Sequence, residues 1–156
     1  MTSALESLNA SRGVHVDGSW RRGGAGLFDV EDPADRSFSA QVADGDVRDA
    51  TAAVDAAAAY SAWRSTAPRQ RADNLRRTFD LMHRDMAQLA ELITRENRKS
   101  LPYAKAEVGY AAEFFRWFPE EAVRPQGDYG PSPAGTTRTI VTHRPAGVAV
   151  PLRHMS

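Results

Sequence analysis

The chain has 156 residues, 42% of them apolar and 26% charged, a composition that fits one globular domain and excludes collagen or a charge-rich disordered chain. Twenty Lys and Arg balance twenty Asp and Glu, so the basic excess that nucleic acid or an anionic membrane selects is missing. With no cysteine, these residues supply no disulfide, no thiolate metal site and no thiol nucleophile.

Residues 1–13 read as a polar, flexible leader without the basic and apolar regions of a secretory signal. No apolar run reaches the roughly 18 residues of a membrane span, and the expectation is a cytoplasmic chain. Val14 and Val16, then Asp17-Gly18, then Trp20 predict a hairpin, because Asp-Gly accepts the positive φ angles of a two-residue turn. The cluster Gly23-Gly24-Ala25-Gly26 reads as a flexible tip. Leu27–Val30 and Phe38–Val42, around Asp32-Pro33, predict a second strand pair.

Four helices follow. The first runs from Asp46, with Val47, Ala50, Val54, Ala57 and Ser61 at helical spacing and Asp44 or Asp46 as N-cap. The second starts near Pro68, with Thr66 as a cap and Leu75, Phe79 and Met82 as its stripe. Asp85 opens the third, where Gln88 resembles a capping-box partner and Met86, Leu89, Leu92 and Ile93 form the stripe. The fourth begins near Ser100-Leu101-Pro102 and carries Val108, Ala111, Ala112, Phe115 and Phe118; Pro119 is expected to end or kink it. Gly127–Gly135 reads as loop, Thr137–His143 as a strand, and Val148-Ala149-Val150 as a strand buried on both faces of a parallel sheet. Such a strand needs neighbours beside it and helices above and below, which makes the chain look like the front piece of a larger α/β enzyme.

Residue types alone show no reaction centre. The histidines His15, His83, His143 and His154 form no pair at metal-ligand spacing. Glu120-Glu121 reads as a solvated helix end, and the Arg69–Arg77 cluster, interleaved with Asp73 and Asp80, as an ion-paired face. Phe114, Phe115, Trp117 and Phe118 admit a stacking platform for bases, although core packing is favoured by their spacing.

Several segments resemble the N-terminal third of the aldehyde dehydrogenase superfamily, in its succinate-semialdehyde dehydrogenase branch. They are Val16–Trp20, Val30–Ala34, Val54–Ala57 leading to Ala62-Trp63, Leu89–Asn97, Glu107–Phe118 and Arg144–Val148. The resemblance implies an α/β fold, α+β in the part present, with N-terminal hairpins and helices of an incomplete Rossmann-like NAD(P)-binding domain over residues 14–150, and a dissimilar tail at 151–156. In that family a cysteine thiolate attacks an aldehyde, hydride passes to NAD or NADP, and a glutamate activates water. The family's Thr-Pro-Trp-Asn-Phe-Pro segment, expected just past Val150, is replaced here by Pro151-Leu152-Arg153-His154-Met155-Ser156. No catalytic or cofactor residue carries over, so no cofactor is expected for this chain alone.

The resemblance does assign Glu107, Ala111 and Phe114 to the lining of a substrate tunnel. It makes the Thr137 to His143 strand a contact in a homo-oligomer or with a full-length relative. Arg98 and Arg36 stand where relatives place turn glycines, and a non-glycine residue in a left-handed conformation costs roughly 1 kcal/mol. Three readings stay open: an inactive truncated dehydrogenase, an interaction module, and half of a split enzyme.

Overall fold

The computed structural model describes residues 13–59 and 61–151. In chain order it comprises β1 (Val14–Val16), β2 (Ser19–Arg21), β3 (Gly26–Glu31), β4 (Phe38–Asp44), α1 (Val47–Ala59), α2 (Ser61–Arg64), α3 (Pro68–Arg84), α4 (Met86–Asn97), α5 (Leu101–Ala122), β5 (Asp128–Pro131) and β6 (Arg138–Val141). The mixture of helix and strand is the expected one. Its strands form three separate antiparallel pairs, β1–β2, β3–β4 and β5–β6. The leader and the end of the tail, residues 1–12 and 152–156, lie outside the described residues.

The first hairpin forms where Asp-Gly places it. Val16 pairs with Ser19, leaving Asp17 and Gly18 at φ 51° and 73°, the backbone of a turn whose twist matches the strands. Between β3 and β4 the turn is held by Asp32. Its side chain accepts the Ala34 N–H at 2.7 Å, and its carbonyl accepts the Arg36 N–H at 2.7 Å. Arg36 closes this turn at φ 61°, the left-handed position that its place in the sequence anticipated.

Helix α5 is the organising element, packed along its length on α3 and α4, which touch each other little. Its buried face repeats every four residues through Ala104, Val108 and Ala112, one side of a 3.6-residue helix. Ala90 of α4 meets that face, with Met86, Leu89 and Ile93 packed around the α4–α5 seam, and Ala72 is the buried residue of α3. The most deeply buried positions are therefore alanines. Small side chains let two helix backbones approach closely, and the larger stripe residues close over the edges.

Several sequence expectations need correction. Pro119 does not end the helix, since α5 continues to Ala122 with Pro119 buried. The ring lacks an N–H for the Phe115 carbonyl, but it sits on the packed side, four residues from Phe115 and three before the helix end. Asp85 does not build a capping box with Gln88: its carboxylate is taken by Arg84 at 2.7 and 2.8 Å. Thr66 does not cap α3 either, because its hydroxyl turns back to the Ala62 carbonyl at 3.1 Å and Ala67 is the N-cap.

The stripe on α1 is not buried, and Val47 is 81% exposed. The stretch read as loop contains β5, which pairs with β6. Val148-Ala149-Val150 is neither a strand nor buried, with Val150 62% exposed. An extended segment gains ladder hydrogen bonds only from a neighbouring strand, and no such neighbour pairs with it among the described residues.

Candidate functional site

Glu107, Ala111 and Phe114 share one face of α5, because steps of four and three residues return a helix to nearly the same direction. That face adjoins the buried stripe and rims it. Glu107 is half-buried, and its carboxylate takes the ammonium of Lys99 from the α4–α5 turn. Phe114 stands 47% exposed between Tyr110, edge-on at 5.2 Å, and Phe118, nearly parallel at 6.3 Å. Aromatic pairs at such distances are favourable, so α5 presents a ladder of rings rather than isolated side chains.

Beside the ladder lies an apolar groove of about 540 Å³ between α3 and α5, walled by Leu75, Phe114, Phe115, Phe118 and Ala122, with Glu121 at one edge. Of the three residues singled out from the sequence, Phe114 reaches this groove. Glu107 and Ala111 lie nearer the start of the same helix. The core-packing reading of the aromatic run holds only for Phe115, which is half-buried; Trp117 and Phe118 are exposed. Helical spacing puts side chains on one face but does not say what covers that face.

The glycine-rich stretch is not a loose tip. Gly24 donates its N–H to Asp49 Oδ2 at 2.7 Å, and Ala25 donates to the Asp44 carbonyl at 3.0 Å. A Cβ on Gly23 would fall 2.1 Å from the Asp44 oxygen, so only glycine permits this approach. Asp46 caps α1 by accepting the N–H groups of Arg48 and Asp49 at 2.8 and 3.0 Å, and Asp49 accepts the Asp46 N–H in return at 3.0 Å. That is a reciprocal cap built from two aspartates. The Gly24 and then the Asp46 N–H groups hold the Asp49 carboxyl below its ordinary range, with Arg21 assisting. The Arg48 guanidinium, then the Asp49 N–H, does the same for Asp46.

This arrangement does not fit a dinucleotide. Phosphate loops leave backbone N–H groups open to an anion at a helix N-terminus, whereas here two carboxylates already occupy those donors. Nor do the described residues bring together three His, Asp or Glu side chains able to hold a metal ion. His15 packs on Trp20 at 4.8 Å, His83 on Phe79 at 4.4 Å, and His143 Nε2 meets the Gln126 carbonyl at 2.9 Å. Glu120 and Glu121 both pair with Arg124, at 3.4 and 3.0 Å, and Arg76 pairs with Asp80 at 3.5 Å. The Glu120–Glu121 end is thus a surface ion-pair cluster, as expected, whereas in the Arg69–Arg77 cluster Arg76 is ion-paired and Arg71 turns to the Thr66 carbonyl.

The strand read as Thr137–His143 is ordered over Arg138–Val141, antiparallel to β5, with Tyr129 opposite Ile140 and the Arg138 guanidinium 5.7 Å from the Tyr129 ring centre. Ile140 is 71% exposed. Gly127 lets the end of β6 close in, since a Cβ there would lie 2.0 Å from the Val141 oxygen.

Among known proteins, residues 20–152 match the model of the aldehyde dehydrogenase family. A succinate-semialdehyde dehydrogenase of Paenarthrobacter nicotinovorans is 47% identical over 109 residues, covering 69% of this chain and 24% of that protein. The crystal structure of succinate-semialdehyde dehydrogenase from Burkholderia pseudomallei superposes with a TM-score of 0.77 at 34% identity, covering 83% of this chain and 27% of the other. An E. coli NADP-dependent enzyme gives the same TM-score at 37% identity and the same coverage. The chain thus spans about a quarter of the length of the relatives it matches.

Proposed function

The chain belongs to the aldehyde dehydrogenase family, and from that premise we propose that it forms the N-terminal scaffold of an enzyme oxidising a small semialdehyde, with succinate semialdehyde the preferred substrate. The observation that carries the reading is its 47% identity to a succinate-semialdehyde dehydrogenase across 69% of its length. In this reading the Glu107–Ala111–Phe114 face of α5 borders the path of the substrate, with the Phe114 ring as an apolar wall and the Glu107–Lys99 pair at its polar end. The carboxylate-filled glycine loop does not fit the phosphates of NAD or NADP, and in this reading other residues hold the cofactor, which accepts the hydride. NADP is the cofactor we favour, as in the similar E. coli enzyme.

The 156 residues contain no cysteine, and we propose that alone they do not turn over an aldehyde, because the family's thiolate nucleophile must come from elsewhere. We propose as well that Thr137 to His143 joins subunits or docks on a full-length relative. In support, β6 offers an open edge and a largely exposed Ile140, and unpaired strand edges recruit other strands.

The test is to fuse this chain to the remaining three quarters of the Paenarthrobacter relative and follow the reduction of NAD and of NADP. Turnover of succinate semialdehyde, with KM raised severalfold by Phe114→Ala, is the expected result. A folded fusion that prefers an unrelated aldehyde, or a Phe114→Ala variant with unchanged KM, would overturn the substrate and tunnel assignments respectively.

A further inference from the structure

Where α2, the start of α3 and the segment after β6 meet, a cleft of about 610 Å³ is lined by Trp63, Arg64, Arg71, His143, Arg144 and neighbouring small residues. An adjoining cleft of about 1010 Å³ shares Trp63, Arg64, Arg144 and Pro145 with it. The first volume lies within the range of small-molecule sites. Neither lining contains a carboxylate.

Elsewhere among the described residues Arg48, Arg84, Arg95 and Arg116 sit on carboxylates, at 2.5 to 2.8 Å. In the cleft, Arg71 spends one N–H on the Thr66 carbonyl and keeps its other donors. His143 is oriented through Nε2 by the Gln126 carbonyl. Trp63, 45% exposed, gives the cleft a flat apolar wall. Guanidinium groups present planar, paired donors that match the oxygens of a phosphoryl group, and like charges gathered without counter-charges raise the local concentration of anions.

We propose that this cleft binds the phosphoryl group of a small phosphorylated molecule, gripped by Arg64, Arg71 and Arg144. The site is separate from the α5 face and independent of the activity proposed above. The probe is inorganic pyrophosphate, titrated at low salt into the full 156-residue chain. Trp63 is read by fluorescence in a Trp20→Phe, Trp117→Phe background, which leaves it the sole indole of three.

Saturable binding is expected, weakened about tenfold or more by Arg64→Gln or Arg144→Gln, because each removes a charge-assisted contact, and unchanged by Arg77→Gln outside the cleft. In the unsubstituted chain, the side-chain Nε–Hε resonances of Arg64 and Arg144 should shift along the same titration curve, a readout that does not depend on how any variant folds. Absence of saturation to 10-fold above ~1 mM pyrophosphate, resonances that stay put, or equal weakening by Arg77→Gln would overturn the proposal.

Discussion

The α4–α5 seam and the segment from Arg138 to Val150 are both rich in apolar residues, yet one is the driest part of the molecule and the other among the most exposed. At the seam, Ala90 and Ala104 are fully buried and Val108 nearly so. In the later segment Ile140, Val148 and Val150 all face outward. The difference lies in where the backbone finds its hydrogen bonds. A helix satisfies its own N–H and C=O groups and needs only a neighbour's side chains. A strand needs a second strand before it can bury anything. β6 found one in β5, while Val148–Val150 has none among the described residues.

That contrast can be broken most forcefully at the seam. Replacing Ala90 or Ala104 with Leu adds volume where the helices touch, and overpacking of this kind costs up to about 3 kcal/mol. A urea titration should show a lower midpoint with an unchanged slope. The matching change in the exposed segment, Val150→Asp, should move the midpoint by less than about 0.5 kcal/mol equivalent. Equal effects at the two places would mean that the tail is packed after all.

A smaller effect of opposite sign is expected at the turns. Arg98 ends α4 at φ 54° and ψ 20°, so Arg98→Gly relieves the left-handed strain and should stabilise by about 1 kcal/mol. Arg36→Gly should act in the same direction but by less, since it also gives up the exposed contact with Glu31 at 3.6 Å.

The hairpin region supplies a pH-dependent comparison. Asp46 and Asp49 have carboxyls held below the ordinary value of 3.8. A carboxyl more acidic in the folded state contributes stability that is present above its unfolded value and is lost as pH falls through the folded one. The tie between the glycine loop and α1 should therefore hold at neutral pH and weaken progressively below about pH 4. Protection of the Gly24 amide from hydrogen exchange would report it, and Asp49→Asn should abolish most of the acid dependence. The smallest change in stability is expected for Ile140→Lys, which should leave the melting of the isolated chain unaltered while removing the proposed association with a full-length relative. Retained association would exclude the β6 face as the contact.

What the sequence disclosed was mostly local. Asp17-Gly18 specifies its own turn and Pro68 its helix start, while the left-handed stop at Arg98 followed from the resemblance, in which relatives carry a turn glycine there. What it concealed depends on distance along the chain. Gly24 and Asp49 are 25 residues apart, so the glycines looked merely permissive until the carboxylate facing them was known. Ala72, Ala90 and Ala104 carry little hydrophobic signal by themselves and are buried because larger residues surround them. For the proposed site, Glu107, Ala111 and Phe114 were singled out by the family resemblance alone, while the groove beside Phe114 required Leu75 from another helix. β5 was missed because Gly130, Pro131 and Gly135 read as breakers, although a two-stranded ribbon accommodates the first two and Gly135 falls in the turn beyond them.

Arg98 also has a consequence for protease sensitivity. The residue that strains the backbone is followed by Lys99, so the exposed reversal between α4 and α5 displays two adjacent sites for trypsin. Cleavage needs several residues on either side to leave their helices, so the rate of nicking should follow the local opening of those two helix ends rather than global unfolding. Arg98→Gly would remove one of the two scissile bonds and tighten the turn around the other. The two halves, still joined across the alanine seam, would then separate only when the seam itself gives way.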